Sequence, residues 1–259
     1  MTPAPYPGIE AALVGLLGLM IGSFMNVCIY RLPRDLSPVR PRSGCTSCGH
    51  VLSWYENIPI VSYLFLRGRC RGCGASISWM YPIVEAITGV MFLGCYLLYG
   101  PSLLLVARLL FASAMIVLFV IDWQHKLLPN VITLPGIVIG FLLSFVAGPG
   151  WQASLIGIAA GGGSLWAIAE IYYRLRKEEG LGMGDVKMLA MIGAFLGWRL
   201  VLVTLMLASF SGTIVGVGVL IAKKESLKYA MPFGTFLAVG AIVAAVAGDQ
   251  LLTWYFGLY

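Results

Sequence analysis

Four of the six cysteines stand in two C-x-x-C pairs, Cys45 with Cys48 and Cys70 with Cys73. They lie in Gly44-Cys45-Thr46-Ser47-Cys48-Gly49 and Arg69-Cys70-Arg71-Gly72-Cys73-Gly74. A two-residue spacer lets both sulfurs of a pair turn toward one ion, and two such pairs make a four-thiolate set of the kind that binds zinc. Glycine after each second cysteine permits the left-handed backbone that this turn wants. The rival chemistry is redox, since a C-x-x-C pair can cycle between dithiol and disulfide. In a reducing compartment two matching pairs argue for metal instead. His50, close to Cys48, could replace one thiolate, although an ordinary loop residue is the simpler reading. Cys28 and Cys95 fall within apolar runs and read as packing residues.

Two aspartates are the other candidates. Asp122 lies in Ile121-Asp122-Trp123-Gln124-His125-Lys126-Leu127-Leu128-Pro129-Asn130, and Asp185 in Gly182-Met183-Gly184-Asp185-Val186-Lys187. Two carboxylates brought together can divide acid and base work, because like charges a few ångströms apart do not both ionise easily. The ionised one deprotonates a water while the protonated one polarises a carbonyl. Such a pair titrates as a unit, and sequence alone does not assign the proton. Gly182 and Gly184 would let an extended substrate backbone approach closely. Each aspartate also has an innocent reading: Asp185 as a helix N-cap, Asp122 as a helix end at the headgroups, and Pro129-Asn130 as a turn and cap.

These groups must be positioned by membrane helices. Apolar residues make up 59% of the chain and charged residues 11%, against about a quarter charged in a soluble domain. The stretches 11–30, 86–107, 200–222 and 229–248 carry no Asp, Glu, Lys or Arg, and about 20 apolar residues span a bilayer as helix. The run 127–169 is long enough for two spans, broken near Gly148-Pro149-Gly150. The reading is an all-α polytopic fold with about eight spans: 9–30, 81–99, 102–121, 131–148, 151–173, 186–198, 200–222 and 232–257. The sixth is short, leaving seven spans plus a tilted segment as the variant. The first run lacks a basic leader region and carries Glu10, so it reads as a retained span. Alternating the spans puts all of the 17 Lys and Arg except Arg108 and Arg199 on one side, which is therefore cytoplasmic. Ser226 should then be reachable from the cytoplasm and Gly150 from outside. The net charge of +6 is accounted for by topology and anionic lipid, with no nucleic-acid partner implied.

Residues 1–100, with the first two spans and the hydrophilic insertion 31–80, read as an N-terminal region, and 101–259 as the helical domain carrying both aspartates. Asn26, Glu85 and Glu170 fall in the cytoplasmic halves of their spans. They are expected either to hydrogen-bond between helices or snorkel, or to line a substrate or methyl-donor cavity. Lys187 borders Asp185, whereas His125 and Lys126 read as headgroup-facing. A transporter relaying protons through the aspartates is the alternative of a different class. It calls for polar residues deep in several spans, and the run 127–169 has no charge.

The ordered motifs resemble bacterial type IV prepilin peptidases along nearly the whole chain. The matching stretches are Gly22-Ser23-Phe24-Met25-Asn26-Val27 with Tyr30-Arg31-Leu32-Pro33, both cysteine pairs, and Tyr81-Pro82-Ile83-Val84-Glu85 with Thr88-Gly89. They continue with Asp122 through Asn130, Gly182 through Lys187, and Pro232-Phe233-Gly234. One departure is Thr235, where the family often has proline, and it is expected to lie far from the catalytic motifs. The resemblance implies a membrane aspartyl protease of the G-x-G-D type, with Asp122 and Asp185 as the dyad and Cys45, Cys48, Cys70 and Cys73 as zinc ligands. It implies removal of the leader from prepilins or pseudopilins at the cytoplasmic face of the inner membrane, after a glycine. It further implies methylation of the new N-terminal amine from S-adenosylmethionine. A peptidase alone, with the zinc loop as a structural lid, is the alternative within the family. The excess of basic residues on the cytoplasmic side would repel a basic leader, so recognition is expected to rest on the substrate's apolar helix.

Overall fold

A computed structural model describes residues 7–178, 182–223 and 232–257; Ser226 lies outside the described residues. The elements in order are α1 (Pro7–Arg31), a 3₁₀ turn (Leu32–Arg34), a second (Trp54–Asn57), α2 (Val61–Phe65), α3 (Met80–Tyr99), α4 (Leu103–His125), α5 (Asn130–Ala147), α6 (Trp151–Arg176), α7 (Met183–Lys223) and α8 (Phe233–Gly257). All but α2 and the two turns are long and apolar enough to cross a membrane, which makes seven such helices among the described residues.

Polarity is distributed as in lipid, not as in water. Leu142, Phe145, Met206 and Phe210 are exposed, whereas Thr88, Thr133, Ser154 and Thr204 are fully buried. The buried hydroxyls are satisfied within or between helices: Thr88 donates to the Val84 carbonyl at 2.7 Å and Ser154 to that of Ala194 at 2.8 Å. Without a hydrophobic drive between helices, close packing and such bonds hold the fold together.

The chain forms two compact units, the first ending at Val117 and the second beginning at Leu118, so the boundary falls inside α4. In the first unit α1 lies against α3 along a seam of small residues. A Cβ on Gly18 would stand 2.8 Å from the Thr88 carbonyl oxygen, and one on Gly22 2.8 Å from the Glu85 Cα. In the second unit α6 meets α7 in the same way, with a Cβ on Gly193 only 2.2 Å from the Gly157 carbonyl oxygen.

α7 is the element that sequence reading divides between residues 186–198 and 200–222. Its backbone leaves the helix at one residue, Gly197, with φ 77° and ψ 170°. The contacts on either side show that the chain turns back there. Gly184, near the start of α7, and Gly234, at the start of α8, both lie against Leu128. Further along α8, Gly248 lies against Leu200, just past the break; returning along α7, Gly212 meets Phe236 near the start of α8. The two limbs of α7 therefore run in opposite directions, so it contributes two limbs in place of one. The break sits two residues before the expected one, at the glycine rather than at charged Arg199.

Candidate active site

Asp122 lies in the last turn of α4. The helix closes just after it, where Lys126 takes a positive φ of 53° and its N–H donates to the Asp122 carbonyl at 2.8 Å. Leu128 and Pro129 follow, and Pro129 caps α5 with its carbonyl. Asn130 is thus the first helical residue rather than the cap, and its Oδ1 accepts a bond from Lys187 Nζ at 2.9 Å. Asp185 lies in the first turn of α7, which begins at Met183. It is therefore not the N-cap of that helix; its N–H donates to the Gly182 carbonyl at 3.1 Å.

Leu128 joins the two carboxylates into one site. Its side chain touches Gly184, beside Asp185, and Gly234, whose absent Cβ would stand 3.0 Å from Asp122 Oδ2. The two carboxyl groups lie within electrostatic reach of each other. Asp122 is 4% exposed, and its Oδ2 accepts two bonds from Thr235, at 2.7 Å from the N–H and 3.0 Å from Oγ1. The expectation that Thr235 lies far from the catalytic motifs is overturned. α8 starts beside the end of α4, and a residue remote in sequence becomes the direct partner of the buried aspartate. Leu128 and Gly234 fall within sequence motifs, but only the tertiary contacts show them as the packing around the carboxylates.

The cysteine loop builds two matched knuckles in the first unit. In each, the first cysteine's N–H bonds forward across the turn: Cys45 to the His50 carbonyl at 2.9 Å, and Cys70 to that of Ala75 at 2.8 Å. Gly49 and Gly74 take φ of 73° and 72°, as glycine after each second cysteine permits. The four sulfurs lie within 4.8 Å of one another, with Cys45–Cys73 and Cys48–Cys70 each at 3.9 Å. A tetrahedral ion with 2.3 Å metal–sulfur bonds wants sulfurs about 3.8 Å apart, so the set fits a metal ion. N–H groups of Cys48 and Ser47 draw the Cys45 thiol down to about 6. At Cys73 the Ala75 N–H acts in the same sense but is outweighed by the thiols of Cys48, Cys70 and Cys45 and by desolvation, and that thiol is pushed up to about 11. His50 does not take the place of a thiolate: the four sulfurs form the cluster, and its Nε2 pairs with Glu56 at 3.2 Å.

Beneath the loop the first unit forms a half-open cavity of about 390 Å³, whose wall includes Asn26, Tyr30, Glu56, Tyr63, Tyr81 and Glu85. Asn26 donates to the Tyr81 carbonyl at 3.0 Å, and Glu85 Oε2 accepts from the Ile60 N–H at 2.8 Å. Of the other residues singled out from sequence, Glu170 is not at either place. It pairs with Arg174 at 2.7 Å on the surface of α6.

Residues 16–99 match the model of the bacterial peptidase A24 N-terminal domain, and residues 109–217 that of the type IV leader peptidase family. The chain is 44% identical to a prepilin leader peptidase/N-methyltransferase of Myxococcus xanthus, over 86% of this chain and 68% of the relative. It is 36% identical to a protein of the same name from Aeromonas hydrophila, over 96% of this chain and 94% of the relative. The chain belongs to the type IV leader peptidase family. No solved structure is significantly similar to it. Within this leader peptidase the two matched segments lie on either side of residue 100, the first holding the cysteine knuckles and the second both aspartates.

Proposed function

We propose that this leader peptidase removes the leader from type IV prepilins or pseudopilins at the cytoplasmic face of the inner membrane and then N-methylates the new N-terminal residue. The observation that carries the reading is the single site made by Asp122, Asp185 and the glycines packed on Leu128. The charged member of the pair takes a proton from a water, and the oxygen of that water attacks the scissile carbonyl carbon. The protonated member donates to the carbonyl oxygen as charge builds there. The tetrahedral adduct then collapses, the C–N bond breaks, and the departing amine takes a proton from the pair. A Cβ on Gly182 would stand 3.3 Å from Asp185 Oδ2, so the glycine there keeps the approach to that carboxylate clear, which suits a substrate with glycine at the cleaved bond. Cys45, Cys48, Cys70 and Cys73 would hold zinc, which supplies no reacting group but ties the loop above the cavity. The basic residues gathered on one side support the orientation.

Incubating the purified protein with a prepilin, with and without S-adenosylmethionine, and reading intact mass tests both activities. Cleaved and methylated product is expected. Asp122→Asn and Asp185→Asn should each retain less than about 1% of the cleavage rate while remaining folded. Retention of substantial cleavage by either variant removes the dyad. Cleavage without methylation leaves a peptidase with a structural loop.

A further inference from the structure

We infer that the cavity under the cysteine loop binds the methyl donor, and that Glu85 is the counter-charge for its sulfonium. The inference rests on the methyl-transfer half of the proposed function and gives that activity a location.

Glu85 is 7% exposed and sits about one turn inside α3 on the cavity wall. Its Oε2 is fixed by the Ile60 N–H, yet no cation pairs with it among the described residues. Arg31, on the same wall, donates instead to the carbonyls of Ser37 and Arg42 at 3.0 and 3.3 Å. A buried carboxylate without a partner cation is costly, and such a group beside a cavity calls for a cationic ligand. The volume lies within the range of pockets that take a whole small molecule. Tyr30, Tyr63 and Tyr81 give it aromatic walls, which suit both a stacked purine and an adjacent cation.

Two cations belong to methyl transfer: the sulfonium of S-adenosylmethionine and the α-ammonium of the cleaved pilin. A pocket of about 390 Å³ matches the volume of a free small molecule rather than a long apolar helix. In the reaction the deprotonated α-amine attacks the methyl carbon and a C–N bond forms. The S–CH₃ electron pair returns to sulfur, a neutral thioether results, and the new ammonium loses one proton to water. Positive charge leaves the sulfur as the methyl departs, so Glu85 has a stronger hold on donor than on spent product.

The experiment is equilibrium binding to the zinc-loaded protein in lipid nanodiscs, using S-adenosylmethionine, S-adenosylhomocysteine and a short peptide with a free N-terminal phenylalanine. Glu85→Gln keeps an acceptor for Ile60 and removes the charge. It should weaken S-adenosylmethionine about tenfold more than the neutral thioether. Equal change in both, or change in neither, overturns the assignment. Weakened peptide with unchanged S-adenosylmethionine also overturns it, and gives Glu85 to the substrate's ammonium. Zinc content and the thermal transition report folding. If the glutamine variant is unfolded, Ser23→Leu, which narrows the same cavity from α1, must weaken both adenosyl ligands with zinc retained; unchanged binding there sinks the pocket. A wild type that methylates while its ligand affinity ignores both variants leaves the proposed function standing without this site. A wild type that cleaves prepilin, does not methylate and binds no adenosyl ligand removes this site together with the methyl-transfer half of the proposed function.

Discussion

Thr235 gives Asp122 two donors on one oxygen, and among the described residues nothing comparable is seen at Asp185. A hydrogen bond to a charged group contributes about 1.5–3 kcal/mol, and the site is buried, so losing the hydroxyl should be felt in the chemical step. Thr235→Val keeps the N–H and the shape. It should lower kcat for cleavage about tenfold or more with little change in KM, and Thr235→Ser should restore most of the rate. Rates for valine and serine that match the wild type would show the hydroxyl to be idle. The aspartates themselves were legible in the sequence because intramembrane carboxylates are costly and stand out. Thr235 was not, since the bond joins residues 113 positions apart and the family's usual proline there has no N–H to donate. Residue type and spacing identify a chemical group; they do not show what folds against it. The cysteines were legible down to their backbone, because the two-residue spacer and the following glycine almost dictate the knuckle.

Among the elements, α7 shows how a hydropathy pattern can find spans and misplace the turn between them. The charge on Arg199 marked the gap between residues 186–198 and 200–222, but the chain reverses at Gly197. Its φ and ψ lie in a region open essentially to glycine alone. A Cβ there would also stand 3.1 Å from Pro149. Gly197→Ala should therefore destabilise the second unit by about 1–3 kcal/mol, seen as a lowered thermal transition in detergent, with cleavage reduced in parallel. An unchanged transition would mean that the turn is set by the limbs and not by the glycine. The seam between α6 and the first limb of α7 was not foreseen. Glycines scattered through apolar runs look like weak helix formers until the partner backbone is known to pass within contact distance.

For the whole molecule, the division inside α4 puts the cysteine knuckles in one compact unit and both aspartates in the other. Replacing Cys70 and Cys73 by serine should abolish zinc binding, read by elemental analysis, and should damage methylation much more than cleavage. Equal loss of both activities in an inserted protein would tie the loop to the peptidase site as well. Binding must displace protons from the thiols, and Cys73, pushed up to about 11, is still protonated at neutral pH. Raising the pH therefore favours the metal-bound form, so zinc affinity should climb between about pH 6 and pH 8 in a competition assay with a chromophoric chelator.

The turn at Gly197 also sets a depth. At 1.5 Å per residue the rise from Asp185 to Gly197 is about 18 Å, while the hydrocarbon layer is about 30 Å thick. α6 and α8, with 26 and 25 residues, are long enough to cross that layer; this limb of α7 is not. Its two ends cannot both lie at the boundaries of an undeformed bilayer, so the lipid must thin around it or the carboxylates must lie sunk below the headgroups. Lipid chain length thereby becomes a control on water supply to a hydrolase. Cleavage in bilayers of short acyl chains should outpace cleavage in long-chain bilayers at equal fluidity, and equal rates would mean that the protein carries its own hydrated path down to the pair.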